Sequence, residues 1–192
     1  MPQKILLRVF TALCLILVLV ACNKQPPPFR NTELEGVKWG KDFELTTHAG
    51  QRLSGADLQG KLQVLFFGYT HCPDICAPTL VKLAQLSKAL GVDAGRVQVL
   101  FISVDPEHDS PAQLKKFVSG FDPSFIGLTG TSDELAALAA DHMVFFKQAK
   151  DGRIEHTGMI FVKDQKGRLR LLMKESVPLD DMLHDLHLLL AS

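Results

Sequence analysis

Two cysteines four residues apart are the side chains of this sequence best suited to chemistry. Cys72 and Cys76 lie directly after an apolar run that ends at Gly68 and directly before a predicted helix. A helix N-terminus exposes backbone N–H groups that favour thiolate, so we expect a lowered cysteine pKa here. If the segment is helical, the two thiols share a face and can join in a disulfide or converge on one metal. Inert buried cysteines or a plain stabilising disulfide are the alternative, although so short a loop gains little from closure.

The spacing of the pair favours a site that holds a metal over a general redox site. Three residues separate Cys72 from Cys76, whereas the thioredoxin-like redox motif has two. Two soft thiolates favour Cu(I), and a neutral imidazole added to them gives a site that can hold either copper oxidation state. We therefore expect one of the seven histidines to complete the site.

His156 is the best candidate among the seven histidines. It lies at the entry of a predicted apolar strand, where a side chain can be aimed rigidly at a neighbouring loop. Met159 is three residues further on and should face the opposite side of a regular strand. His142 is expected to be an imidazole stabilised by the dipole at a helix end. The other histidines lie in predicted turns, beside Cys72 but pointing away, or on the polar side of a helix: His48, His71, His108, His184 and His187.

The elements that must position these residues follow from hydrophobic periodicity and capping residues. The predicted strands cover residues 63–68, 97–104, 126–128, 144–147, 154–163 and 168–173, and the predicted helices cover 79–90, 110–120, 131–142 and 179–190. A short hairpin is expected near residues 43–50. This order predicts an α/β, thioredoxin-like fold with a central mixed sheet and helices on both of its faces.

The first 21 residues have the pattern of a secretory signal. Two basic residues precede the apolar run Val9 to Val20, whose twelve residues would span about 18 Å as a helix, too short for a bilayer core. The run ends in Leu19-Val20-Ala21-Cys22, which resembles a bacterial lipobox. We therefore expect cleavage before Cys22 and a lipid on Cys22, with an ordinary signal peptide or an uncleaved membrane anchor as alternatives.

The rest of the chain divides into a tether and one domain. Residues 22–38 contain Pro26-Pro27-Pro28 and mostly polar neighbours, which is typical of an extended tether. Residues 39–192 form a single predicted domain without an internal repeat. With 21 basic and 21 acidic residues the formal charge is zero, which gives no basic footprint for nucleic acid.

Three segments together resemble the Sco/SenC family. They are Phe67 to Cys76, Ser103-Val104-Asp105-Pro106-Glu107, and His156-Thr157 at its distance from the cysteines. The resemblance extends from about Phe43 to the C-terminus. It implies a thioredoxin-like copper chaperone for cytochrome c oxidase, with Cys72, Cys76 and His156 as copper ligands. It also implies a membrane tether with the domain outside the cytoplasm, here in the periplasm.

The sequence departs from the family pattern at three positions without losing a ligand. Ala77 stands where proline is usual, which moves the proline to Pro78. Glu155 replaces the usual aspartate, and His108 occupies a position often filled by arginine. These differences leave copper binding as the expectation and bear on affinity and on the choice of partner.

Two functions fit these residues. The first is a metallochaperone that receives copper from a donor protein and delivers it to the binuclear copper centre of cytochrome c oxidase. The second is a thiol–disulfide reductase that keeps the cysteines of that centre reduced, in which Cys72 attacks, Cys76 resolves, and the pair ends as a disulfide. His156 would be dispensable for the second. A peroxidase is disfavoured, because no arginine lies near the cysteine pair in sequence.

Overall fold

A mixed β-sheet with β4 near its middle is the centre of the fold. The computed structural model describes residues 28–149 and 154–192, without the side chains of Gln148 and His156. The strands in these ranges are β1 (Thr32–Glu33), β2 (Glu44–Thr47), β3 (Arg52–Ser54), β4 (Leu62–Gly68), β5 (Val97–Ser103), β6 (Ile126–Thr129), β7 (Phe146–Gln148), β8 (Ile154–His156), β9 (Met159–Lys163) and β10 (Leu169–Lys174). Eight of them form one sheet in the order β1-β10-β9-β4-β5-β6-β2-β3, and β7 pairs with β8.

Four helices cover the two faces of this sheet in the described chain: α1 (Cys76–Ala89), α2 (Pro111–Ser119), α3 (Ser132–Asp141) and α4 (Leu179–Leu190). Every residue of β4 is buried, and its side chains alternate between two hydrophobic clusters. Val64 and Phe66 pack with α1, α2 and α4, whereas Leu65 and Phe67 pack with α3. Because β4 is parallel to β5 and antiparallel to β9, the predicted mixed sheet with helices on both faces is confirmed.

The predicted starts of α2 and α3 are also confirmed, whereas α1 begins at Cys76, three residues before its predicted start. The Ser110 hydroxyl accepts a hydrogen bond from the Gln113 N–H, and Pro111 occupies the first helical position of α2. Thr131 and Glu134 form a reciprocal capping box at the start of α3. These local bonds satisfy backbone groups that a helix end leaves without an intrahelical partner.

The predicted strand over residues 154–163 is wrong in one respect. It is two strands, β8 and β9, and Thr157-Gly158 separates them. The strand predicted from Val144 begins instead at Phe146, after a turn in which Met143 has a φ of 54°. As a consequence β8 leaves the main sheet and pairs with β7, with Phe146 opposite His156.

Part of the segment assigned to the tether is packed on the domain. Thr32 pairs with Leu172 at the edge of the main sheet. The backbone N–H groups of Arg30 and Asn31 each donate to the fully buried Asp185 carboxylate at 2.9 Å. Residues 28–38 therefore differ from a free linker. Residues 1–27, with the predicted signal and Cys22, lie outside the described residues.

None of the described helices combines the length and the apolar character that a membrane crossing requires.

Candidate metal centre

The two cysteines lie where the sequence places them, at the carboxyl end of the central strand. β4 ends at Gly68, Cys72 lies in the following loop, and Cys76 is the first residue of α1. A Cβ atom at Gly68 would lie 2.7 Å from the Cys76 sulfur and 2.8 Å from the Phe101 ring. Only glycine fits at this position, because any larger residue would push against the thiol or the ring.

Cys72 and Cys76 are both thiols in the structure, and their side chains are hydrogen-bonded to each other. Cys72 is partly exposed and Cys76 is fully buried. Since the helix begins only at Cys76, the segment between the cysteines is not helical, and the loop instead brings the two sulfurs together. The predicted low pKa is also wrong for Cys76. Burial raises the pKa of this thiol, and the hydrogen bond from the Tyr69 N–H only partly offsets that effect.

Tyr69 connects the cysteine loop to β8. Its ring is buried, and its hydroxyl forms a hydrogen bond with the Cys72 thiol. The same hydroxyl accepts a hydrogen bond of 3.2 Å from the Ile154 N–H, the first residue of β8. One phenol group therefore contacts both the outer thiol and the strand that carries His156.

The backbone of His156 is held against the cysteine loop on both of its sides. Ile154 binds Tyr69, and a Cβ atom at Gly158 would lie 2.7 Å from the Ile75 side chain. Cys72, Ile154 and Glu155 also line one hollow of about 280 Å³. The side chain of His156 is outside the described atoms, and among those described no three His, Cys, Asp or Glu side chains form a metal-binding group. His156 as the third ligand stays a prediction.

Asp109 is a residue of this site that the sequence analysis missed. Its carboxylate is fully buried and accepts hydrogen bonds from the Thr70 N–H at 3.0 Å and the Thr70 hydroxyl at 2.6 Å. It also accepts one from the Ser103 hydroxyl at 2.7 Å. Ser103 ends β5, so Asp109 joins that strand to the loop that leads into Cys72. Three donors to one buried carboxylate make this loop rigid.

The other histidines have different surroundings. His142 is fully buried against Phe67 and Phe161, and burial, followed by the charge of Lys163, lowers the pKa of its imidazole to about 4. The predicted dipole-stabilised imidazole is therefore wrong, because desolvation outweighs the helix dipole. The imidazoles of four other histidines form hydrogen bonds. The His48 ring accepts one from the Gly127 N–H, and the others pair as His71 with Thr70, His108 with Asp105, and His184 with Asp185.

Comparison with known proteins agrees with this geometry. The SCO1/SenC family model matches residues 31–191. The mitochondrial SCO2 homologue of Bos taurus is 36% identical over 133 residues, which cover 66% of this chain and 50% of the relative. The chain therefore spans about half the length of this relative.

Two solved structures extend the comparison. Copper-bound ScoI from Bradyrhizobium japonicum is 37% identical with a TM-score of 0.71, and the match covers 78% of this chain and 98% of that one. A SCO1/SenC family lipoprotein from Bacillus anthracis is 26% identical with a TM-score of 0.74, covering 84% and 99%. With the family model matching most of the sequence and the cysteine pair at the end of the central strand, this chain belongs to the SCO1/SenC family.

Proposed function

We propose that this protein binds one copper ion through Cys72, Cys76 and His156 and delivers it to the binuclear copper centre of cytochrome c oxidase. The observation that carries the proposal is that Cys72 borders the same hollow as Ile154 and Glu155 of β8, while the buried Cys76 thiol is hydrogen-bonded to Cys72. The copper-bound relative from Bradyrhizobium japonicum supports it. Two thiolates and one imidazole form a donor set suited to copper.

The unequal burial of the two thiols suits a site that both holds and releases copper. The high pKa of the buried Cys76 keeps it protonated without metal, and the charge of copper would replace that proton. Cys72 is the more accessible thiol. During transfer, a copper–sulfur bond to this chain breaks as one to the partner forms, and the released cysteine takes the proton that the partner thiol loses. No electron changes hands.

Copper titration of the reduced protein tests this function. We would purify the full protein from membranes in detergent and compare the wild type with His156→Ala and with His187→Ala, an exposed histidine on α4. We expect one tightly bound copper with sulfur-to-copper charge-transfer absorption, weakened more than about tenfold in His156→Ala only. A wild type without stoichiometric copper would contradict the proposal.

A reductase is the second candidate, and the hydrogen bond between the two thiols favours it. The Cys72 thiolate would attack a target disulfide and release one target thiolate. Cys76 would then attack the Cys72 sulfur, release the second target thiolate and leave the Cys72–Cys76 disulfide. Two electrons pass to the target. A Cys76→Ser protein should accumulate the mixed disulfide, while His156→Ala should reduce the target at the wild-type rate.

We also propose that residues 1–21 are a lipoprotein signal and that Cys22 carries the lipid, which places the domain in the bacterial periplasm. The lipobox pattern supports this, as does the relative from Bacillus anthracis, which is a lipoprotein. Labelling of growing cells with a radioactive fatty acid should mark the wild type and leave a Cys22→Ser variant unlabelled. Equal labelling of both would contradict the assignment.

A further inference from the structure

Two of the most exposed large apolar side chains belong to residues two positions apart, in the segment that is hydrogen-bonded to Thr157 after β8. Within the described residues, strongly exposed large apolar side chains are few: Val81, Val92, Met143 and Phe145. Met143 is 55% exposed and Phe145 is 81% exposed. An aromatic ring left in water at a fixed position is typical of a surface that a partner covers.

The backbone of Phe145 is fixed although its ring is exposed. The Phe145 carbonyl accepts a hydrogen bond of 3.1 Å from the Thr157 N–H, and the Phe145 N–H donates to the Thr157 hydroxyl at 3.3 Å. Val144, the preceding residue, is buried. Thr157 follows His156 directly, so the exposed ring is attached next to the backbone of the predicted ligand.

The turn before Phe145 has an unfavourable backbone conformation. Met143 is the single non-glycine residue with a positive φ, at 54°, within residues 28–149 and 154–192. Side chains with a Cβ rarely adopt this conformation, and such outliers cluster at functional sites. The turn connects α3 to β7 and leaves both Met143 and Phe145 on the surface.

Two hollows that share Ile154 reach from Phe146, the residue after Phe145, to Cys72. The first, of about 220 Å³, is lined by Phe146 and Ile154 with the acidic residues Asp105 and Glu107. The second is the hollow of about 280 Å³ that Cys72 borders, and it adds Asp74 and Glu155. Ile154 lines both. No lysine or arginine is among the described residues that line either one.

We propose that the docking surface, which consists of Met143, Phe145 and the two hollows that meet at Ile154, binds the protein that exchanges copper with this chain. This inference rests on the proposed function. Ligand exchange brings the thiols of the partner to Cys72, so the partner must cover the surface that borders Cys72. The exposed Phe145 ring requires an apolar centre on the contact surface of the partner, and the four carboxylates of the two hollows require a basic rim around it.

Binding of the copper-receiving oxidase subunit from the same cell, with its copper-site cysteines reduced, tests the proposal. The partner is titrated into the full, copper-loaded protein in detergent, and copper transfer is followed by absorption. We expect Phe145→Ser to weaken the complex about tenfold or more and to slow transfer, with unchanged copper affinity. Glu107→Lys should slow association and reduce its dependence on salt. Val92→Ser is the matched control, because Val92 is fully exposed before β5, at the opposite end of the sheet.

The outcomes separate this inference from the function on which it rests. A wild type that binds and transfers copper, with Phe145→Ser equal to it in affinity and rate, overturns the docking surface alone. A wild-type dimer that Phe145→Ser dissociates, without any change in partner binding, assigns the surface to a second copy and also overturns it. A wild type that binds no copper overturns the proposed function and this inference together.

Discussion

Asp109 orders the backbone that leads into Cys72. Its buried carboxylate ties the backbone and hydroxyl of Thr70 to Ser103 at the end of β5. A buried donor left without an acceptor costs about 1–3 kcal/mol. The loop that carries Cys72 therefore depends on an acceptor 39 residues away from Thr70 in the sequence.

We expect Asp109→Asn to lower the free energy of unfolding by about 1–3 kcal/mol, because its amide presents donors to the Thr70 and Ser103 groups. We also expect faster release of copper, measured with a competing chelator. Asp185→Asn is the matched control, since Asp185 is an equally buried carboxylate that binds the N-terminal segment. It should lose similar stability and keep the copper affinity. Equal copper release from both variants would show that Asp109 acts through stability alone.

Gly68 allows the close approach of the strand to the buried thiol. We expect Gly68→Ala to cost about 1–3 kcal/mol of unfolding free energy, because the new methyl group would lie within 3 Å of the Cys76 sulfur and the Phe101 ring. Gly95→Ala adds its methyl group in open space and should be close to neutral. Urea unfolding of the two variants gives the comparison, and equal stability would contradict the crowding.

At the residue scale, the sequence predicted the position of the cysteines and not their environment. The apolar run of β4 and the helix after Pro78 located Cys72 and Cys76 correctly. The predicted low pKa of Cys76 was wrong. The helix dipole can be inferred from the local sequence, whereas burial by β4, β5 and α1 depends on the packed structure. Asp109 gave no local signal either, since its partners lie in other elements.

At the element scale, the relation between β8 and the cysteine loop determines how close the backbone of His156 lies to the two thiols. Tyr69 is the hydrogen-bonded link between them, and Gly158 packs against Ile75. The interruption after His156 was missed because the segment from Ile154 was joined to the apolar run Ile160-Phe161-Val162 as one strand. At this interruption Gly158 lies close to Ile75, a contact that only the packed structure contains.

We expect Tyr69→Phe to weaken copper binding through β8. The variant keeps the ring and loses the hydroxyl that binds the Ile154 N–H and the Cys72 thiol, at a cost of about 1 kcal/mol in unfolding free energy. A double-mutant cycle with His156→Ala is the measurement. If Tyr69 positions β8, the effect of Tyr69→Phe on copper affinity is larger with His156 present than without it. If Tyr69→Phe lowers the copper affinity equally with and without His156, Tyr69 acts through its hydrogen bond to Cys72 instead.

At the scale of the whole molecule, stability should depend on pH through His142. Its pKa is about 4 in the folded protein against an ordinary value of 6.5, so the unfolded chain binds more protons between these values. The contribution of His142 to the free energy of unfolding is then fully present above pH 6.5 and decreases as the pH falls toward 4. We expect a loss of about 2 kcal/mol between pH 7.5 and 5.

Denaturant unfolding at the two pH values, for the wild type and His142→Phe, measures this contribution. The phenylalanine keeps an aromatic ring against Phe67 and Phe161 and cannot titrate. The difference between the two proteins isolates His142 from the carboxylates that also titrate in acid. The same slope in both would contradict a neutral, buried imidazole.

The N-terminal segment shows what composition alone cannot reveal at this scale. Three prolines and polar neighbours predicted a tether to residue 38, yet Arg30 and Asn31 are bound by Asp185. That carboxylate lies about 155 residues away in sequence. The overall fold was predictable because hydrophobic periodicity recurs along the whole chain. The hydrogen bonds of Arg30 and Asn31 to the distant Asp185 leave no such periodic pattern.

The attachment of residues 30–33 to Asp185 and β10 also determines how the molecule would be oriented above a membrane. β1 runs antiparallel to β10, and the pairing of β10 with β9 and of β9 with β4 places Pro28 toward the end of the sheet where β4 leads into the cysteine loop. Cys22 precedes Pro28 by six residues, a span of at most about 20 Å when fully extended. A lipid on Cys22 would therefore turn the end of the sheet with Cys72 and Cys76 toward the bilayer and hold it close to the bilayer surface. Copper centres that lie near the bilayer surface would be within range, whereas proteins free in solution would have to approach from the side.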